Sequence, residues 1–178
     1  MSRDAVAADG RTAWLIAAFT DHAANVHTLA RRMVGDHQRA QDVVQATFIQ
    51  GWQHCEQLRD ASSTRSWLLR IAYRESLHAL RDRREVPTAP EDLTDARAAD
   101  DPAAEVVARD ERDRVLALLL TLPESLRAAV LLRDVNDLPM AEVATVLGVS
   151  ASAAKMRVHR GREALRCAWN EQEVNHGL

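Results

Sequence analysis

Two cysteines in 178 residues exclude a disulfide-stapled fold. Cys55 and Cys167 are not spaced as zinc ligands either. Cys55 follows His54, but neighbours on a helix point in different directions and chelate poorly. No metal, cofactor or redox centre is expected; buried or half-buried thiols are. Glycine (six) and proline (five) are scarce, and no run alternates apolar and polar residues with period two, so strands are not expected. The longest strongly apolar stretch, Val115 to Leu122, is far shorter than the roughly 20 residues of a spanning helix, so no membrane insertion is expected. No basic stretch followed by an apolar core opens the chain, so no signal peptide is read and a cytoplasmic location is expected. Excess positive charge is missing too: the net charge is −3.

What is present is helix-forming. Apolar residues make up 47% of the chain, enough for real cores. The expected fold is all-α, as two small helical domains joined by an acidic flexible linker. The boundaries read as a flexible N-terminus at 1–11, a first domain at 12–85, the linker at 86–103, a second domain at 104–168 and a tail at 169–178. Apolar spacing places helices over Trp14–Met33, 36–55 and about Trp67–Arg84. Gly35 stops the first and Asp36 caps the second. The segment Pro87 to Pro102 has three prolines, and acids concentrate there, which is linker composition. Helical pattern resumes near Ala104 and runs to Leu122. Pro123 suits the first turn of the next helix, which runs to about Arg133, with a turn at Asn136 and Asp137.

Charge is segregated along the chain. Residues 148–166 hold five basic residues against Glu163 alone; residues 59–84 hold seven arginines against three acids; residues 86–105 hold six acids and one arginine. Phosphate binding depends on local potential, so this distribution outweighs the negative sum.

Residues 138–166, LPMAEVATVLGVSASAAKMRVHRGREALR, read as a helix-turn-helix. Pro139 starts its first helix, Gly148 ends it, and Ser150 caps the second. The opening Ser150-Ala151-Ser152-Ala153 is small and polar, which lets a helix N-terminus approach bases and phosphates. Lys155, Arg157, Arg160, Arg162 and Arg166 follow on that helix; arginine makes forked contacts to guanine or phosphate. A solvated structural hairpin is the plainer alternative.

Two further faces carry a choice. In the 36–55 helix, Ala40, Val43, Val44, Thr47, Phe48 and Gly51/Trp52 form the core stripe, leaving Gln38, Asp42, Gln45 and Ile49 outside as solvent surface or a docking site. In the 67–84 helix the core stripe is Leu69, Ala72/Tyr73, Ser76/Leu77 and Leu80. A second stripe, Trp67, Arg70, Arg74, His78 and Arg81 with Tyr73 beside it, is aromatic and basic. It offers stacking platforms for unpaired bases between backbone-tracking arginines, or a core-anchored Trp beside solvated arginines.

The stretch ARRMVGDHQRAQDVVQATFIQGWQHCEQLRDASSTRSWLLRIAYRESLHALRDRR closely resembles region 2 of bacterial sigma factors of the extracytoplasmic-function class, group IV of the sigma-70 family. LPESLRAAVLLRDVNDLPMAEVATVLGVSASAAKMRVHRGREALR resembles region 4 of the same family. The resemblance implies a non-catalytic RNA polymerase subunit that confers promoter recognition. Asp42, Val43, Val44 and Gln45 stand at the family's D-L-V-Q signature, with Ile49 on the same face. They would dock on the clamp coiled coil of the polymerase β′ subunit. Trp67, Arg70, Ile71 and Ala72 stand at the W-L-x-R-I-A signature of the helix that recognises and melts the −10 element. Arg65, Trp67, Arg70, Tyr73, Arg74, His78 and Arg81 are its expected DNA contacts. Asp60 to Arg65 corresponds to the loop that holds a flipped-out base, whose unstacking costs on the order of a few kcal/mol.

Ser150, Ser152, Ala153, Lys155, Met156, Arg157, His159, Arg160 and Arg162 would read the −35 element in the major groove. The implied partners are core polymerase (β′ clamp coiled coil and β flap), promoter DNA and an anti-sigma factor. The acidic linker would thread toward the RNA exit path. Departures from the pattern fall at Tyr73, Arg74 and His78, and at Ser152 to Arg157, where G-T-V-K-S-R is usual. Promoter preference is expected to differ there.

Overall fold

Helical periodicity becomes seven α-helices, and no strand forms among the described residues. In this computed structural model the backbone is described for residues 3–58, 60–85 and 102–176, and side chains for 10–58, 60–83 and 111–173. The first half comprises α1 (Arg3–Val34), α2 (His37–His54) and α3 (Thr64–Glu85); the second comprises α4 (Pro102–Thr121), α5 (Glu124–Val130), α6 (Met140–Leu147) and α7 (Ala151–His176). The expected linker lies outside the described residues up to 101. No helix among the described residues is long and apolar enough to cross a membrane.

Several boundaries move outward from those read off the pattern. α1 begins at Arg3, upstream of Trp14, through an Ala-rich, proline-free stretch of high helix propensity. The expected tail at 169–178 continues α7 to His176. Arg114 of α4 stacks 4.4 Å from the Trp169 ring centroid and donates from Nε to Gln172 at 2.9 Å, which anchors that extension. α3 starts at Thr64, directly after a short 3-10 turn over Ala61–Ser63 that Asp60 caps by accepting the Ser62 amide at 2.9 Å. Asp36 caps α2 as expected, accepting the Arg39 amide at 2.7 Å. α5 continues into a wider π turn over Leu131–Val135 before Asn136.

α1, α2 and α3 pack around Val26, Leu29, Met33, Leu68 and Leu69, each fully buried. Each such side chain contributes about 1.5–3 kcal/mol relative to exposure. Leu68 replaces Tyr73 in the core, since Tyr73 is only half-buried, and Trp52 faces outward at 37% exposure. The second half closes on Leu131, Leu132, Leu138, Val143, Ala154 and Val158. At the elbow, Gly148 has φ 65°, a left-handed conformation open to glycine at little cost. The Val149 amide then reaches the Ala144 carbonyl at 3.0 Å, closing α6 as the sequence indicates.

The two sets of buried residues form one continuous apolar cluster. α1 touches α4 and α5, and α3 touches α6. The pattern alone suggested two cores connected only by a linker.

Candidate nucleic-acid interface

The periodicity that buries Ala40, Thr47 and Phe48 of α2 sends Asp42, Gln45 and Ile49 to solvent, with Ile49 48% exposed. Val43 does not belong to that surface: it is 3% exposed and packs inward. Val44 is half-buried and lines an apolar groove of about 410 Å³ with Leu15, Phe19, Phe48, Ile49 and Trp52. Phe19 and Phe48 meet with ring centroids 4.9 Å apart. The α1 wall of this groove, Leu15 and Phe19, escaped the sequence reading, which placed a helix over Trp14–Met33 without assigning these two residues a face. Their i,i+4 spacing was the available signal. On its other side α2 shares a mixed groove with α3, where Arg39, Asp42, Glu75, His78 and Asp82 surround Val43, Ala46 and Ala79. Asp42 lines this second groove and not the apolar one.

The loop before α3 is organised by one carboxylate. Asp60 accepts from the amide and hydroxyl of Ser62, and these bonds hold its pKa below the ordinary value. Thr64 donates back to the Ala61 carbonyl at 2.7 Å. This leaves Ala61, Ser62 and Ser63 exposed at the mouth of α3. Arg65 is half-buried, and its Nη2 donates to the Asn136 carbonyl of the other half. Trp67 is not an open platform, since it meets Trp14 edge-on at 5.9 Å. Arg70 and Tyr73 are half-buried. Burial raises the Tyr73 pKa, partly offset by Arg157 and reinforced by Glu124. Arg74, His78 and Arg81 stand in solvent.

α7 divides its residues cleanly. Ala154, Val158 and Gly161, at spacings of four and three, face α5 and α6. Ser152, Lys155, Met156, His159 and Arg160 face outward, with Met156 51% exposed. Ala153 and Arg157 lie at the margin. Ser150 caps the helix, its Oγ accepting the Ala153 amide at 3.2 Å. Arg162 is committed elsewhere: its Nε donates to Asp134 at 2.9 Å in a paired contact that raises its pKa. His159 approaches Glu163 at 3.2 Å. A narrow convex helix with small residues leading and cations behind suits insertion into a duplex groove.

Residues 18–86 match the family described as Sigma-70 region 2, and residues 112–165 match Sigma-70, region 4. The ECF RNA polymerase sigma factor SigE of Mycolicibacterium smegmatis is 35% identical over 149 residues, spanning 82% of this chain and 57% of that relative. SigL of Mycobacterium tuberculosis, another ECF RNA polymerase sigma factor, is 31% identical over 178 residues, covering 98% and 99%. Among solved structures, CnrH in complex with the cytosolic domain of CnrY has a TM-score of 0.70 at 25% identity, covering 94% of each chain. The sigma factor RpoE bound to the anti-sigma factor NepR from Bartonella quintana shares the fold, with a TM-score of 0.68 at 21% identity, covering 83% of this chain and 91% of that one.

Proposed function

The chain belongs to the sigma-70 family, as an extracytoplasmic-function RNA polymerase sigma factor, and from that membership we propose how its exposed faces divide the work of initiation. An alternative sigma factor directs core polymerase to particular promoters. Here the α1–α2 groove with Asp42, Gln45 and Ile49 takes the β′ clamp coiled coil, an apolar groove receiving a helical partner. Val43 supports that surface from inside. The Asp60–Arg65 loop and α3 take the non-template strand at the −10 element. Arg74, His78 and Arg81 follow its backbone, and Ser62, Arg65 and Tyr73 surround the extruded base. The outward face of α7, from Ser152 to Arg160, enters the major groove at −35, and the second half also meets the β flap. An anti-sigma factor covers these faces when the regulon is silent. The chain acts in the cytoplasm, with polymerase, and carries out no catalytic step itself.

The observation that carries this reading is the pairing of an open apolar groove on α2 with an outward-facing basic helix after a Gly turn. A stand-alone helix-turn-helix regulator needs only the second. In a pull-down with core polymerase, Asp42→Arg and Gln45→Ala weaken retention while leaving the fold intact; undiminished retention of both rules out the docking assignment. In run-off transcription, Arg157→Ala abolishes or redirects use of promoters with altered −35 elements. Indifference to that change places the reading helix elsewhere.

A further inference from the structure

We propose that Arg162 is a positioning residue and not a DNA contact: its fork on Asp134 fixes the roll of α7, and with it the register in which Ser152, Met156 and Arg160 meet the −35 bases. The proposal rests on the assignment of the outward face of α7 to the −35 element.

Spacing alone puts Arg162 among the readers. It follows Lys155 by seven residues, so the two lie within about 20° of each other around the helix. The structure gives its guanidinium another task. Nε donates to Asp134 Oδ2 at 2.9 Å and Nη2 to Oδ1, a two-bond fork that neutralises the charge. If Arg162 also held a phosphate, the carboxylate it neutralises would lie beside that phosphate and repel it. The buried stripe under the reading half of α7 leaves roll undetermined. Ala154, Val158 and Gly161 are small, and none projects far enough to key the helix against α5 and α6. Gly161 lets α7 close on Val130 and the Leu126 carbonyl, which sets the distance between the helices and not the angle of roll. A roll of about 20° swings side-chain tips at the helix radius of ~5–6 Å by about 2 Å, several times the spread of hydrogen-bond lengths.

Asp134 is a firm mount for this purpose. It stands on the π turn over Leu131–Val135, a rare insertion in a helix, and Leu131 and Leu132 of that turn are fully buried. The Asn136 backbone amide returns to the Leu131 carbonyl at 2.9 Å, and the Asn136 side chain donates to the same oxygen at 3.1 Å. The Leu138 amide reaches the Leu132 carbonyl at 3.0 Å, and Arg133 Nη1 donates to the Leu138 carbonyl at 2.8 Å. Exposed ion pairs generally contribute little, because both side chains must be ordered to form them. Here the carboxylate arrives on a backbone already fixed, and two parallel bonds specify direction as well as distance. Farther along α7, Arg114 of α4 holds Trp169 and Gln172. The Arg162 fork stands between that anchor and the reading residues.

The test uses the full chain with core polymerase and a pool of duplexes randomised over the −35 element. Sequencing the retained duplexes gives base preference, and salt slopes are measured on the most enriched one. Two double variants keep the net charge of −3: Asp134→Ala with Arg162→Ala, and the exchange Asp134→Arg with Arg162→Asp. The alanine pair lowers enrichment of the preferred bases by about fivefold, the low end of what one base contact discriminates, and leaves the salt slope unchanged. The exchange rebuilds the fork in reverse and recovers the preference. A salt slope smaller by about one in the alanine pair, and smaller again in the exchange, makes Arg162 a phosphate contact and overturns the proposal. Unchanged base preference with a lowered melting temperature makes the pair a structural brace and overturns it as well. If the alanine pair loses helix content, the exchange decides: a folded exchange variant with flat preference overturns the proposal. Melting of the free chain reports the fork without DNA, as non-additive shifts of Asp134→Ala and Arg162→Ala. Lys155→Ala separates the two failures. If it leaves slope and preference untouched while the melting shifts are non-additive, the fork stands and the −35 assignment of α7 has failed.

Discussion

Gly161 sets a test of the packing that aims α7, the proposed −35 helix. It lies in the middle of α7, where glycine costs about 0.8–1 kcal/mol relative to alanine, so Gly161→Ala should stabilise on propensity alone. The structure reverses that sign. A Cβ at 161 would sit 2.6 Å from Val130 Cγ2 and 3.2 Å from the Leu126 carbonyl oxygen. Val130 is β-branched and 5% exposed, so it has little room to turn away. Overpacking of this kind costs about 1–3 kcal/mol. The net expectation is a loss of about 1 kcal/mol, which lowers Tm by about 2–4 °C for a chain of this size. Because α7 must shift from α5 to admit the methyl, −35 binding falls with stability. Val130→Ala alone costs about 2 kcal/mol, from the deleted methyls and the space they leave. In that background Gly161→Ala becomes neutral or stabilising, giving a coupling of about 1–3 kcal/mol. Thermal unfolding followed by circular dichroism measures all four variants. An additive cycle, or a stabilising Gly161→Ala in the parent chain, would refute the close α5–α7 crossing.

Two further outcomes separate roles within the reading faces. Lys155→Ala reduces the salt slope of −35 duplex binding by about one, whereas Met156→Ala leaves the slope alone and relaxes base preference by about 1 kcal/mol, most visibly where thymine is replaced by uracil. Equal effects of the two variants on salt dependence would contradict the division of α7 into cation and apolar contacts. The Asp60 carboxyl, with its lowered pKa, supports the Ser62 loop fully above about pH 4, the ordinary Asp value. That support disappears only as pH falls through the lower native value. Following the Ser62 amide by NMR checks this, and titration at the ordinary value, or survival of the transition in Asp60→Asn, would show that the carboxylate does not organise the loop.

The helix-turn-helix was legible because its signals are local. Gly148 needs a left-handed turn, Ser150 offers an N-cap oxygen, and Ala154, Val158 and Gly161 repeat at helical spacing. The exposure of Asp42, Gln45 and Ile49 on α2 was legible in the same way, although Val43, which stands in the family signature, faces the core. What escaped depends on partners distant in sequence. Leu15 and Phe19 become a groove wall only because α2 lies beside them. Trp67 reads as either a stacking platform or a core anchor until Trp14 closes on it. Arg65 and Arg127 look like ordinary basic residues, and their ligands are backbone carbonyls, which carry no sequence signal at all. The continuity of the two cores was hidden for that reason.

Charge accounting on α7 bears on whether the chain, in the proposed reading, holds −35 DNA without polymerase. Five basic residues stand between 148 and 166, but Arg162 is bound to Asp134 and Arg166 lies 4.0 Å from Glu163. Lys155, Arg157 and Arg160 remain without an ion pair among the described residues. Three phosphate contacts give a salt slope of about −2.7, so duplex affinity falls only about fortyfold between 50 and 200 mM salt. Few contacts also mean weak binding at any salt, and the net charge of −3 adds no long-range attraction. On the proposed docking of α2, tethering supplies what is missing: with α2 seated on polymerase, −35 binding becomes intramolecular at high effective concentration. Asp42→Arg should therefore abolish promoter footprints at −35 in the presence of core polymerase, although Asp42 lies on the other half of the chain. The same variant should bind a −35 duplex normally when polymerase is absent. A −35 footprint that survives Asp42→Arg would mean that α7 holds DNA unaided and that three cations suffice.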